Sequence, residues 1–165
     1  MFKHIIRVTF ILFIGSTNLM ADNDFYLKID LLNRETSKDS NSQRYIIEVK
    51  NTDVKYKYTY GGYPGYEEKS KNYTLTDKEL SGIIQKIKDR KINTSIEEKR
   101  PTKSNGGSTR RVHLSLSLKL DGNITKSKIS GNTRIFRADG EIKGEIIKNK
   151  KYINRVESLI QDLKR

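Results

Sequence analysis

Cysteine is absent from all 165 residues. That excludes a disulfide framework, a thiolate metal site, a thiol nucleophile and a lipid-bearing cysteine near the start. Histidine is nearly absent: His4 lies in the first apolar stretch, which leaves only His113 for the rest of the chain. One histidine builds neither a His-rich zinc site nor an HExxH helix. No Gly-X-Ser-X-Gly turn offers a serine to His113, and no Walker spacing or internal repeat occurs. After residue 21 no run is apolar enough to span a bilayer. These absences lead to an expectation of no metal, no cofactor and no catalytic residue that can be assigned.

What is present begins with an address. In "MFKHIIRVTFILFIGSTNLMA", Lys3, His4 and Arg7 precede an apolar run around Val8 to Ile14, and Ala21 stands before the polar "DND". This is the layout of a secretory signal peptide, shorter than the roughly twenty residues a membrane-spanning helix needs. Leu19 departs from the small residue preferred two places before the cleavage point, and an uncleaved anchor is the alternative. The expectation is a signal peptide over 1–21 cleaved near Ala21, and one domain over 22–165, periplasmic or secreted. The abundance of Lys, Ile, Asn and Tyr suggests an AT-rich bacterial genome.

Losing Lys3 and Arg7 lowers the formal charge of +13 by two, to +11. A surplus of that size attracts polyanions. The candidate partners are a protein, an anionic envelope polymer or a lipid surface; export argues against nucleic acid. Dispersed lysines also serve solubility alone.

Periodicity gives the elements. Phe25, Leu27, Ile29 and Leu31 alternate with polar residues, the pattern of a half-buried strand. "YIIEVK" and "VKYKYTY" follow as an antiparallel pair turning at Asn51-Thr52-Asp53. Thr76 and Glu79 make a capping box, with Leu75 and Leu80 as a staple, before the apolar stripe Leu80, Ile83, Ile84, Ile87. Gly82 weakens that helix and is expected to let it lie close to the sheet. A short strand is expected near Ile92 to Ile96, then a regular one from Val112 to Leu120. Asp121-Gly122 signals a hairpin into a return strand over Ile124 to Ser130, expected at a sheet edge with Lys126 and Lys128 guarding it. A weak hairpin is expected around Asp139-Gly140. Tyr152, Val156, Leu159, Ile160 and Leu163 recur at helical spacing. The fold class expected is α+β: an antiparallel sheet with one central and one C-terminal amphipathic helix packed on it, a two-layer sandwich.

In "YTLTDKEL", "LKLDGN" and "YINRVESLIQDLKR" the chain resembles small exported bacterial α+β domains of unknown function. The resemblance implies an α+β domain and brings no catalytic residue with it.

The remaining chemistry is thin. Glu48, Glu67 and Glu68 are the carboxylates available to a polysaccharide hydrolase, which needs two of them across a cleft; neighbours on a strand point to opposite faces. Gly106-Gly107, flanked by Lys103, Arg110 and Arg111, suits an anionic group on a larger partner. Tyr56 and Tyr58 are expected at the core, whereas "GGYPGYEE" reads as a surface turn presenting Tyr63 and Tyr66. The leading expectation is a non-enzymatic exported binding domain. Its contacts are Tyr60, Tyr63 and Tyr66 on the turn, and Lys99, Arg100, Lys103, Arg110 and Arg111 on a basic loop. The alternatives are the small hydrolase and a self-assembling structural subunit.

Overall fold

The computed structural model describes residues 24–36, 40–62, 65–100, 108–137, 140–141 and 146–164. The expected signal peptide with Ala21, together with Tyr63, Lys103 and Gly106-Gly107, lies outside the described residues.

The sheet is built outward from an apolar inner strand. In β1 (Tyr26–Thr36), Leu27, Ile29 and Leu31 are fully buried. They lie opposite Val49, Ile47 and Tyr45 of β2 (Ser42–Lys50) on one side, and Leu118, Leu116 and Leu114 of β6 (Ser108–Leu120) on the other. Alternation at period two turns all of these to one face. β2 continues into β3 (Asp53–Gly62) and then β4 (Gly65–Thr74). Beyond β6 comes β7 (Asn123–Arg137), and beyond that the short β5 (Glu97–Lys99). The order is β4-β3-β2-β1-β6-β7-β5, with β8 (Gly140–Glu141) on the far part of β7. All strand pairs are antiparallel except β5 with β7. At the β6–β7 turn Asp121 and Gly122 take φ of 50° and 75°, as a two-residue hairpin of the mirror-image type requires.

Two helices join the same core. α1 (Asp77–Asp89) starts at the capping box: Glu79 N–H donates to Thr76 Oγ1 at 3.3 Å, and Thr76 N–H to Glu79 Oε2 at 2.7 Å. α2 (Lys150–Leu163) buries Tyr152, Ile153, Val156, Leu159, Ile160 and Leu163. Polar contacts tie them down. Tyr73 Oη donates to the Leu163 carbonyl, and Asn33 Nδ2 to Glu157 Oε1 at 2.9 Å. Asp162 receives Lys86 at 2.9 Å and Arg90 at 2.7 Å, linking α2 to α1. Burial raises the Asp162 carboxyl, but these two hydrogen-bonded cations outweigh it and hold it below its ordinary value.

Several sequence expectations change here. Residues 92–96 form no strand: Ile96 N–H donates to Ser127 Oγ at 3.1 Å, and that hydroxyl also meets the Thr94 carbonyl at 2.9 Å and Tyr152 Oη at 3.0 Å. A buried serine on β7 thus supplies the bonds a ladder would have made, and the strand begins at Glu97. The "GGYPGYEE" stretch is mostly not a turn. Gly61 and Gly62 end β3, and Gly65 and Tyr66 begin β4. β4 escaped periodicity because, as an edge, it exposes both faces and shows no apolar alternation. β7 is flanked by β6 and β5, so Lys126 and Lys128 face outward from a covered strand and guard no edge. Gly82 makes no close approach: a methyl group there meets nothing within 4 Å. Arg110 and Arg111 lie in β6 itself, not in a loop.

Candidate binding surface

The strand registers bring the tyrosine-rich hairpin and the basic segment to one end of the sheet. Tyr66, Gly61, Ser42, Arg34 and Arg111 face each other in turn across β4, β3, β2, β1 and β6. They form a lateral row roughly 19 Å long at the usual strand spacing. This row lies on the face opposite the buried leucines. Tyr66 is 71% exposed, and its Oη donates to Glu68 Oε2 at 2.6 Å.

One residue along, Tyr60 and Arg110 turn to the other face. Tyr60 Oη donates to Asn41 Oδ1 at 3.2 Å, and Arg110 Nη2 to Glu35 Oε2 at 3.3 Å. Between them, beside α2, is a polar cleft of about 420 Å³ whose lining includes Asn33, Asn41, Gln43, Arg110, Arg134 and Lys150. Glu35 is engaged by Arg110, and Glu157 receives the Asn33 amide. Among the described residues Arg134 and Lys150, which also border the cleft, have no ion-pair partner, so the cleft holds uncompensated positive charge; Arg34, also without an ion-pair partner, turns to the opposite face. Arg34, Arg134 and Lys150 carried no distinguishing signal in the sequence, because only strand pairing and the docking of α2 place them together.

Tyr56 and Tyr58 lie on the helix side. Tyr56 is 5% exposed, and burial pushes its hydroxyl up to about 12. Tyr58 packs on Tyr45 with ring centroids 5.0 Å apart.

Lys99 and Arg100 sit at the opposite edge. Lys99 pairs with Ser130 on the open face. Arg100 is engaged inside the fold: its Nε donates at 3.1 Å to Glu98 Oε1. Glu98, 8% exposed, also accepts the Lys148 N–H at 2.7 Å, the Asn149 N–H at 3.0 Å and the Asn149 side-chain amide at 2.9 Å. It therefore caps α2 from β5, where Asn149 makes no side-chain cap of its own. Burial raises the Glu98 carboxyl, but the backbone donors, then Arg100 and the Asn149 amide, outweigh it and leave it at about 2.

The other carboxylates do not converge. Glu67 and Glu68 point to opposite faces of β4, paired with Lys69 at 2.5 Å and Lys57 at 2.8 Å. Lys57 and Tyr66 hold the Glu68 carboxyl below its ordinary value. Glu48 accepts Tyr26 Oη at 3.3 Å, two strands away and four residues along from Glu68. His113 Nδ1 lies 2.8 Å from Ser130 Oγ, and Asp30 is bound by Arg44 at 2.9 and 2.7 Å. Among the described residues no three His, Asp or Glu side chains gather as metal ligands, and no helix is long and apolar enough to cross a membrane.

No protein-family model matches the chain, and no curated protein matches it in sequence.

Proposed function

We propose that this chain is an exported, non-enzymatic recognition domain that binds an anionic partner, either a protein or an envelope polymer, at the Tyr66–Arg111 end of its sheet. Export rests on residues 1–21, and kinship with small exported bacterial α+β domains on the three segments quoted above. In this reading the helices form one layer, the sheet the second, and contact is left to the sheet end and the open face. The observation that carries the proposal is that one end of the sheet carries an exposed tyrosine and Arg34 on the open face, and Arg134 and Lys150 in the cleft on the other, cations that the described residues leave unpaired. Exposed aromatic rings beside unneutralised cations suit contact and electrostatic steering.

Self-assembly through the open edge has less support. Glu67, Glu68, Lys69 and Lys71 line β4, the composition that blunts strand-to-strand pairing. The test is retention of partners from envelope and secreted extract at about 0.15 M salt, where weak surface attraction is screened. Tyr66→Ala and Arg34→Ala/Arg134→Ala should each retain at least tenfold less partner with an unchanged melting temperature. Retention equal to wild type in both removes the site.

A further inference from the structure

The open face is not flat. β6 offers it Ser115 and Ser117, short side chains at the centre of the sheet, beside His113, while Lys28 on β1 and Lys126 and Lys128 on β7 rise on the flanks. The result is a depression of about 440 Å³, within the size range that holds a small ligand. Its floor is Leu32 and Ser115. One wall is the Asp30–Arg44 pair on β1 and β2. The other wall is Lys128 with Glu97 and Lys99, brought alongside by the parallel β5–β7 ladder.

The charges of this depression define a ligand. Arg44 and Asp30 cancel through two hydrogen bonds. Glu98, also in the lining, is balanced by Arg100; among the described residues Lys99, Lys128 and Glu97 have no ion-pair partner, which leaves one positive charge in surplus beside the floor. Ser115 and Ser130 present hydroxyls, and the Asp30 and Glu97 carboxylates can accept hydrogen bonds. His113 turns Nδ1 to Ser130, which leaves Nε2 for a ligand. A floor of leucine and serine, hydroxyl, imidazole and carboxylate groups able to hydrogen-bond, and a single net positive charge match a compact ring that carries hydroxyls and one negative charge.

We infer that the depression over Leu32 and Ser115 binds an acidic sugar ring, a pyranose bearing one carboxylate, with Lys99 and Lys128 on the carboxylate and Asp30 and Glu97 on ring hydroxyls. The inference rests on the anionic-partner reading for its ligand class, but it uses different residues. Arg34 follows Leu32 two places along the same face of β1, about 7 Å away. A polymer of such rings leaving the depression therefore runs onto the basic row.

The methyl glycoside of galacturonate, one ring with one carboxylate, probes the depression alone, and its methyl ester keeps the ring while removing the charge. Calorimetric titration of the purified protein at about 0.15 M salt should give binding at least tenfold tighter for the acid than for the ester. Ser115→Tyr, which fills the floor, and Lys99→Ala/Lys128→Ala should each weaken the galacturonate glycoside at least tenfold with the melting temperature unchanged. If Ser115→Tyr does not fold, the lysine variant decides. Absence of binding to the wild type, equal affinity for acid and ester, or wild-type affinity in the variants overturns the inference. Affinity lost only in Arg34→Ala/Arg134→Ala moves the anion to the end of the sheet, which overturns this site and leaves the earlier proposal standing.

Discussion

Leu116 and Ser117 are neighbours on β6, yet they belong to two surfaces built on different rules. Leu116 is 1% exposed among Ile29 and the core; Ser117 stands on the open face between Lys28 and Lys126. The buried face is held by close packing, where every methyl group is felt. The open face is a mosaic of charges and short side chains, where most single changes cost little stability and alter only what the surface presents. The comparison teaches where each kind of experiment belongs: stability measurements on one face, binding measurements on the other.

The largest contrast should come from that pair. Leu116→Ala is expected to cost about 2–5 kcal/mol, since it leaves a cavity in a packed core, whereas Ser117→Ala should stay within about 0.5 kcal/mol. Denaturant unfolding of both variants checks it, and similar losses would break the distinction between the faces.

Glu97 and Glu98 repeat the comparison with charge. Glu98 is held near pKa 2 when folded, against 4.5 for an ordinary glutamate. A lowered carboxyl stabilises fully above its unfolded value, and that contribution drains away as pH falls from about 4.5 toward 2. On the order of 3 kcal/mol is involved. Glu98→Gln should therefore be less stable than wild type at pH 7, with the gap closing as pH falls toward 2. Glu97→Gln should change stability at pH 7 by no more than about 0.5 kcal/mol. A gap for Glu98→Gln that stays constant with pH would remove the anionic cap from the account of α2.

The smallest effect has the opposite sign. Gly82 lies on the exposed side of α1, with nothing within 4 Å of an added methyl group. Gly82→Ala should stabilise the protein by about 1 kcal/mol, seen as a raised melting temperature. A lower melting temperature would mean that the outer side of α1 is packed after all.

The two faces also differ in how far the sequence disclosed them. The packed face was legible because burial leaves a period: Leu27, Ile29 and Leu31, or Val156, Leu159, Ile160 and Leu163, can be read without knowing their partners. The capping box at Thr76 and Glu79 was legible because its bonds are local. β4 was not, since an exposed edge carries no apolar alternation. Nor was the Ser127 network, whose hydroxyl substitutes for a strand ladder at a distance of some thirty residues along the chain. At the candidate site, Tyr66 could be singled out by its turn-like neighbours, but its alignment with Arg34 and Arg111 depends on four successive strand registers. The depression over Ser115 depends on what flanks a serine across the sheet, which residue order alone does not encode.

The place of β1 has a consequence for the order of assembly. β1 is the first of the described strands to emerge and sits in the interior of the sheet, yet only one of its partners, β2, follows directly. The other is β6: Tyr26 meets Lys119 and Thr36 meets Thr109. Until that distant segment arrives, one side of the apolar β1 is an unpaired edge, and the four-strand meander β1 to β4 is half a sheet with an exposed seam. Long-range closure of this kind is slow, and an uncovered apolar edge is a template for neighbouring chains. The growing chain is thus most prone to aggregate in the interval between completion of β4 and delivery of β6, and a truncation ending near residue 100 would trap it there.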